Sequence, residues 1–216
     1  IHLPIKFPLL LAQGAEGIAV GLSTKILPHN FNELIDSSIK HLKGKRFKLY
    51  PDFQTGGFID IKNYNDGNRG GRVKVRAKLE KLDKNSIIIK EIPYGTTTAS
   101  VIESIIKASD KGKIKLKKIE DNTSSNVEII VYLKTGSSIS KTIDALYAFS
   151  QCEVSISPLS CIISNNKPEF IGVSDILKTS TENTRELLKE ELEIELEELN
   201  NQWHNISLEK IFIENR

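Results

Sequence analysis

The sequence predicts an α+β fold, a mixed or antiparallel sheet with flanking helices, followed by one long helix. Three observations predict it. Residues 72–80 alternate strictly: Val73, Val75, Ala77 and Leu79 sit between Arg72, Lys74, Arg76 and Lys78, the period of a half-buried strand. Residues 31–42 place Leu34, Ile35, Ile39 and Leu42 at helical spacing. Leu188, Leu192, Leu196, Leu199 and Trp203 follow at steps of 4, 4, 3 and 4, one stripe of a long helix. Strand pairs and helices alternate irregularly between these, which disfavours a doubly wound parallel sheet.

Each element has a local reason. Residues 9–30 are glycine-rich, with Gly14, Gly17 and Gly21 around Ile18-Ala19-Val20, and read as a tight loop. The helix over 31–42 starts at an N-cap, Asn30 or Asn32. A basic cluster follows (Lys40, Lys43, Lys45, Arg46, Lys48), then a loop-rich stretch over 51–68 marked by Gly56-Gly57 and Asp66-Gly67. After the alternating strand, residues 87–92 form a second strand that Pro93-Tyr94-Gly95 ends. Thr96–Thr98 cap a helix to about Ser109, with Val101, Ile102, Ile105 and Ile106 inward. Strands over 113–119 and 127–133 come next. A helix over 138–150 turns Ile139, Ile143, Leu146 and Tyr147 inward. Strands over 153–157 and 159–164 then lead to a turn at Asn165-Asn166. From Ser174 the chain becomes helical, with a further helical stretch over 208–213. Two heptads are too few to define a coiled coil by period alone.

Composition narrows the classes. Of 216 residues, 39% are apolar and 27% charged, enough for a core and ordinary for a globular protein. No run of 18 apolar residues marks a membrane span, and no secretory leader opens the chain. Cys152 and Cys161 lack CxxC spacing and fit buried thiols in a reducing cytoplasm. His2, His29, His41 and His204 show no metal-ligand spacing. The chain starts at Ile1 and contains no methionine, so it reads as an internal piece of a longer polypeptide, with catalytic residues expected outside it. The net charge of +2 conceals an asymmetry. Residues 1–172 hold 25 Lys and Arg against 17 Asp and Glu, a net of +8, and residues 173–216 hold 5 against 11, a net of −6. The basic part suits a phosphate backbone, whereas the acidic part does not.

The segment LLLAQGAEGIAVGLSTKILPHN carries the most information. It lacks the GxGxxG spacing and the GK[ST] ending of phosphate-binding loops. It resembles the GxxGIAVGxxTxIPPHN loop of type IIA DNA topoisomerase A subunits, matching at Gly14, Gly17, Ile18, Ala19, Val20, Gly21, Thr24, Ile26, Pro28, His29 and Asn30. Leu27 stands where that family more often has a proline. The resemblance continues in order through residues 71–77 (GRVKVRA), 88–94 (IIKEIPY) and 145–150 (ALYAFS), so that it covers nearly the whole chain. The ending SLEKIFIENR looks closer to the topoisomerase IV type than to gyrase.

The resemblance implies three regions: residues 1–30, a DNA-wedge loop leaving an upstream winged-helix domain; 31–172, a tower-like α+β domain; and 173–216, the start of a coiled-coil arm. It implies that Ile18 is a wedge inserted between base pairs of bent duplex DNA. An apolar wedge costs a few kcal/mol of unstacking, offset because kinked DNA meets more protein surface. Packing of Ile18 into its own domain is the competing reading. Lys25 and His29, after the loop, and Arg72, Lys74 and Arg76, on the strand, are the candidate DNA contacts. Cross-strand pairing with Glu80, Glu91 and Glu128 is the competing reading of the strand cations. The parent reaction would be ATP-dependent passage of one duplex through a transient break in another, with a tyrosine attacking the phosphodiester. None of Tyr50, Tyr64, Tyr94, Tyr132 and Tyr147 stands in that tyrosine's context, so no catalytic residue is assigned. No cofactor is expected here, because ATP and Mg²⁺ belong to the partner B subunit. The implied partners are double-stranded DNA, that B subunit in an A2B2 assembly and a further copy of the parent chain, all in the cytoplasm. A stand-alone nucleic-acid-binding module and a structural dimerisation piece are the alternatives. The first lacks RRM aromatics and zinc knuckles.

Overall fold

The computed structural model describes residues 5–164 and 166–215. His2, the Asn165 half of the expected turn and the outer ends of the first and last expected regions lie outside them. The chain opens with a short helix, α1 (Leu9–Gln13), and an antiparallel hairpin, β1 (Ala15–Ala19) and β2 (Leu22–Ile26). Helix α2 (Phe31–Leu42) begins where expected, and the Asn30 side chain accepts hydrogen bonds from the N–H groups of Asn32 and Glu33. Its buried side is Leu34 and Ser37. Ile39 and Leu42, expected inward, are exposed.

Nine further strands and three helices follow among the described residues. They are β3 (Phe58–Asn63), β4 (Arg72–Arg76), β5 (Lys78–Asp83), β6 (Ser86–Glu91), α3 (Thr98–Asp110), β7 (Leu116–Asp121), β8 (Ile129–Leu133), α4 (Ile139–Phe149), β9 (Glu153–Ile156), β10 (Cys161–Ser164), β11 (Lys167–Phe170) and α5 (Val173–Glu214). Every strand pairing described is antiparallel. The fold is therefore α+β with antiparallel sheets and a long C-terminal helix. Strands β3-β4-β9 form a three-stranded sheet and β5-β6-β8-β7 a four-stranded one, while β10-β11 is a second hairpin.

The alternating run over 72–80 is not one strand. Ala77, fully buried, separates β4 in the three-stranded sheet from β5 in the four-stranded sheet, and its N–H bonds to the Cys152 carbonyl at 2.8 Å. Period-2 patterning is blind to such a corner, because a strand can change partners without losing its alternation. The two sheets then serve two cores. One gathers Leu11, Ile26, Leu27, Leu34, Val73, Val75, Val173 and Leu177, drawing on all three regions expected from the sequence. The other gathers Ala77, Ile87, Ile89, Val101, Ile105, Ile129, Val131 and Leu146 under α3 and α4. Helix α3 is closed by a reciprocal capping box between Thr97 and Ser100. Ile106, expected inward on it, is 45% exposed, and Ala108 takes the buried position instead.

Helix α5 runs unbroken for 42 residues, about 63 Å at 1.5 Å per residue, joining what the sequence suggested as two helical stretches. Val173, Ile176, Leu177 and Thr181 dock it. Beyond them Leu192, Leu196, Leu199 and Trp203 stand exposed.

Candidate nucleic-acid interface

The glycine-rich loop is a β-hairpin with a two-residue turn, Val20-Gly21, and register Ala15↔Ile26 through Ala19↔Leu22. Gly21 takes φ +76° at the turn position where a positive φ favours glycine. At the other end Gly14 has φ +73°, and a Cβ there would lie 2.7 Å from the Ile26 carbonyl oxygen. Only glycine lets α1 return so closely to β2. The hairpin base is further tied by Lys25 and Leu159, which exchange backbone hydrogen bonds at 2.8 and 3.0 Å. Thr24 Oγ1 accepts from the Cys161 N–H at 3.3 Å.

This fastened base carries an uncovered tip. Ile18 is 90% exposed and Val20 is fully exposed. An isolated hairpin is marginal in water, so the anchorage to Leu159 and Cys161 is what holds two apolar side chains out in solvent. An open, largely apolar recess of about 380 Å³ lies beside the tip, with Ile18 and Leu22 on one wall and Ile163 and Pro168 of the neighbouring hairpin on the other. The motif singles out Ile18, whereas the hairpin presents Val20 beside it just as openly.

The basic candidates divide. Lys25 Nζ lies 2.9 Å from Glu16 Oε1, its cross-strand partner. On β4, Val73 and Val75 are fully buried while Arg72, Lys74 and Arg76 alternate outward. Lys74 Nζ and Arg76 Nε share Glu153, at 3.2 and 2.5 Å, and the Arg76 guanidinium sits 5.0 Å above the Tyr147 ring. Arg72 has no carboxylate partner among the described residues. Lys78, on the other sheet, pairs with Glu91 at 3.4 Å, and Glu80 is taken by Lys90. The cross-strand reading therefore holds for Lys78. The partner of Lys74 and Arg76, Glu153, lies on β9, a strand that local pattern could not pair with β4. The Lys74 and Arg76 side chains are half exposed, whereas the Glu153 side chain they share is only 18% exposed, so these are not the freely solvated pairs that contribute little to stability.

His29 is a correction. It is 4% exposed, so its ring is no surface contact. Its Nδ1 lies 3.3 Å from the Leu11 carbonyl oxygen and its Nε2 3.3 Å from the Tyr64 hydroxyl. A carbonyl can only accept, so Nδ1 carries the proton and Nε2 accepts from Tyr64. Burial lowers the His29 pKa to about 4, against the opposing hydrogen bond to Leu11, and burial raises that of Tyr64. His29 thus ties α1 to the segment before β4 as a neutral ring.

The tyrosines have structural surroundings. The Tyr147 hydroxyl donates to the Ala77 carbonyl at 2.9 Å, and Tyr94 stacks on Phe53 at 4.5 Å. Among the described residues, no group of three His, Cys, Asp or Glu side chains is placed to hold a metal ion. No helix described is long and apolar enough to cross a membrane.

Comparison with known proteins shows the family. The family of DNA gyrase/topoisomerase IV A subunits matches residues 1–216. The chain is 42% identical to the A subunit of DNA topoisomerase 4 from Borreliella burgdorferi over 97% of its own length and 33% of that protein's. It is 32% identical to the A subunit of DNA gyrase from Lawsonia intracellularis over 94% of the chain and 27% of the relative. For the A subunit of DNA gyrase from Brachyspira hyodysenteriae the figures are 29%, 94% and 26%. The chain spans a third or less of the length of these relatives. With a hairpin bearing the GIAVG motif on an α+β body and a family match over its whole length, the chain belongs to the family of DNA gyrase/topoisomerase IV A subunits, those of the type IIA topoisomerases.

Proposed function

We propose that this segment binds duplex DNA and helps bend it, as part of an A subunit that works with a B subunit in ATP-dependent double-strand passage. The observation that carries the reading is Ile18, an aliphatic side chain 90% exposed at the end of a hairpin pinned at its base. A folded chain gains nothing from rigidly presenting such a side chain to water. Inserted at a base step, it would be desolvated and would hold a kink. Arg72, Lys74, Arg76 and Lys25 are the cations suited to the backbone beside it, and such contacts position DNA without reading its sequence. ATP and Mg²⁺ would be supplied by the B subunit. The segment alone should be inactive in strand passage, because none of the tyrosines described is placed as a nucleophile.

Ile18→Ala in the full-length A subunit tests the reading. With the side chain already exposed, stability should change by less than about 0.5 kcal/mol. DNA bending, measured by energy transfer between end labels, should fall, because smooth bending of a site still costs about 1–6 kcal/mol. An unaltered bend with Ile18 truncated would end the wedge assignment.

A further inference from the structure

Of the cations at the candidate interface, only Arg72 lacks a carboxylate partner among the described residues. Lys25, Lys74, Arg76 and Lys78 all sit on carboxylates. A cleft of about 710 Å³, sharing no lining residue with the hairpin or β4, lies between the end of α2, the loop after it and the start of α5. Lys40, Lys45, Arg46, Lys48 and Lys178 line it. All five are exposed. Among the described residues, Lys40, Lys45, Arg46 and Lys48 have no carboxylate within ion-pair distance, and Lys178 has Asp175 at 2.8 Å. Three carboxylates reach the rim: Asp175 on Lys178, Asp66 on Ser174, and Glu182, which lies 3.3 Å from His41 and 2.8 Å from Arg185. The dipole of α2 accounts for cations in its last turn, such as Lys40. It does not account for Lys45, Arg46 and Lys48, which lie beyond the helix. Like charges gathered in a concave site repel one another and focus a positive field.

We propose that this cleft is a second binding site for the phosphodiester backbone of duplex DNA, separate from the hairpin and β4. It rests on the reading that the segment meets DNA. The donors favour a polyanion over a small one. The N–H groups of Lys43, Gly44 and Lys45 are turned back onto the α2 carbonyls of Ile39, His41 and Lys40. The Ser174 N–H and hydroxyl are held by Asp66. These groups provide no backbone cradle of the kind that fixes a single phosphate. What remains are long, mobile cationic side chains, which neutralise a line of phosphates without fixed geometry.

The test is Lys45→Ala, Arg46→Ala and Lys48→Ala combined in the full-length A subunit, with a charge-retaining control, Lys45→Arg and Lys48→Arg. Binding of a labelled linear duplex is titrated across salt concentrations. Each phosphate interaction removed should flatten the log-log salt slope by about 0.9, so the triple Ala variant should lose between two and three units while the control matches wild type. Duplex should also protect Lys45 and Lys48 from acetylation in wild type, and in Ile18→Ala as well. That outcome keeps this site separable from the wedge, whose own readout is bending. The proposal is overturned if the slope is unchanged, or if duplex leaves both lysines as reactive as in the free protein. It is also overturned if inorganic phosphate or polyglutamate protects them as well as duplex does at equal charge concentration.

Discussion

A histidine next to a DNA-associated motif invites assignment as a phosphate contact, yet His29 is placed to do the opposite of meeting an anion. Its ring is buried, and it works only while neutral, donating from Nδ1 to Leu11 and accepting from Tyr64. The consequence is a pH dependence whose sign can be stated. The folded-state pKa is about 4, below the ordinary 6.5, so the unfolded chain binds the proton more readily. The stabilisation is therefore complete above about pH 6.5 and is lost as pH falls towards 4. At 1.36 kcal/mol per unit, unfolding in urea at pH 5 should show about 2 kcal/mol less stability than at pH 7. His29→Gln should flatten that interval. An equal pH dependence in the variant would assign the effect to other groups.

At the scale of elements, the hairpin depends on one backbone position more than on any side chain. Gly14 combines a positive φ with a Cβ position 2.7 Å from the Ile26 carbonyl oxygen. Gly14→Ala should cost more than about 1 kcal/mol and loosen the hairpin base, seen as faster amide exchange at Lys25 and Leu159. Slow exchange at both would mean that α1 can shift to make room. The arm poses a different question. The second half of α5 exposes Leu192, Leu196, Leu199 and Trp203, an apolar stripe that needs a partner to be buried. Trp203 is the single tryptophan in the chain, so its emission reports the arm directly. Raising protein concentration should shift that emission to shorter wavelength, with little sensitivity to salt, because apolar pairing is not screened. Emission independent of concentration would argue that the stripe does not pair copies of this chain.

For the whole molecule, two cores on either side of Ala77 predict two levels of resistance to opening. Ile105→Ala in the α3 core should cost about 2–5 kcal/mol. The loss should raise amide exchange in β6, β8 and α3 more than in α1, β4 and the base of α5. Uniform acceleration throughout would show that the two cores open as one. The separation also places the hairpin and α5 in one core, through Leu11, Ile26, Leu27, Val173 and Leu177. The expected wedge and the arm are thus built on the same packed unit.

The α+β class, helices α2, α3 and α4, the long helical stretch near residue 174 and the family were legible in the sequence, with the caps narrowed to Asn30 or Asn32 and to Thr96–Thr98. These rest on local signals: side-chain period, capping chemistry and ordered motifs over short spans. The remainder depended on contacts between distant segments. The strand over 72–80 divides at Ala77 because its two halves find different partners, β9 and β6, 77–83 and 3–13 residues away in the chain. The hairpin, β3 and β11 escaped notice because glycines, a loop-like setting and Pro168 mask alternation on strands with little to bury. Glu153 reaches Lys74 and Arg76, and Tyr64 reaches His29, only after the chain has folded back. Whether a polar residue meets solvent, a counter-ion or a buried carbonyl is set by contacts distant in sequence, and no local pattern encodes them.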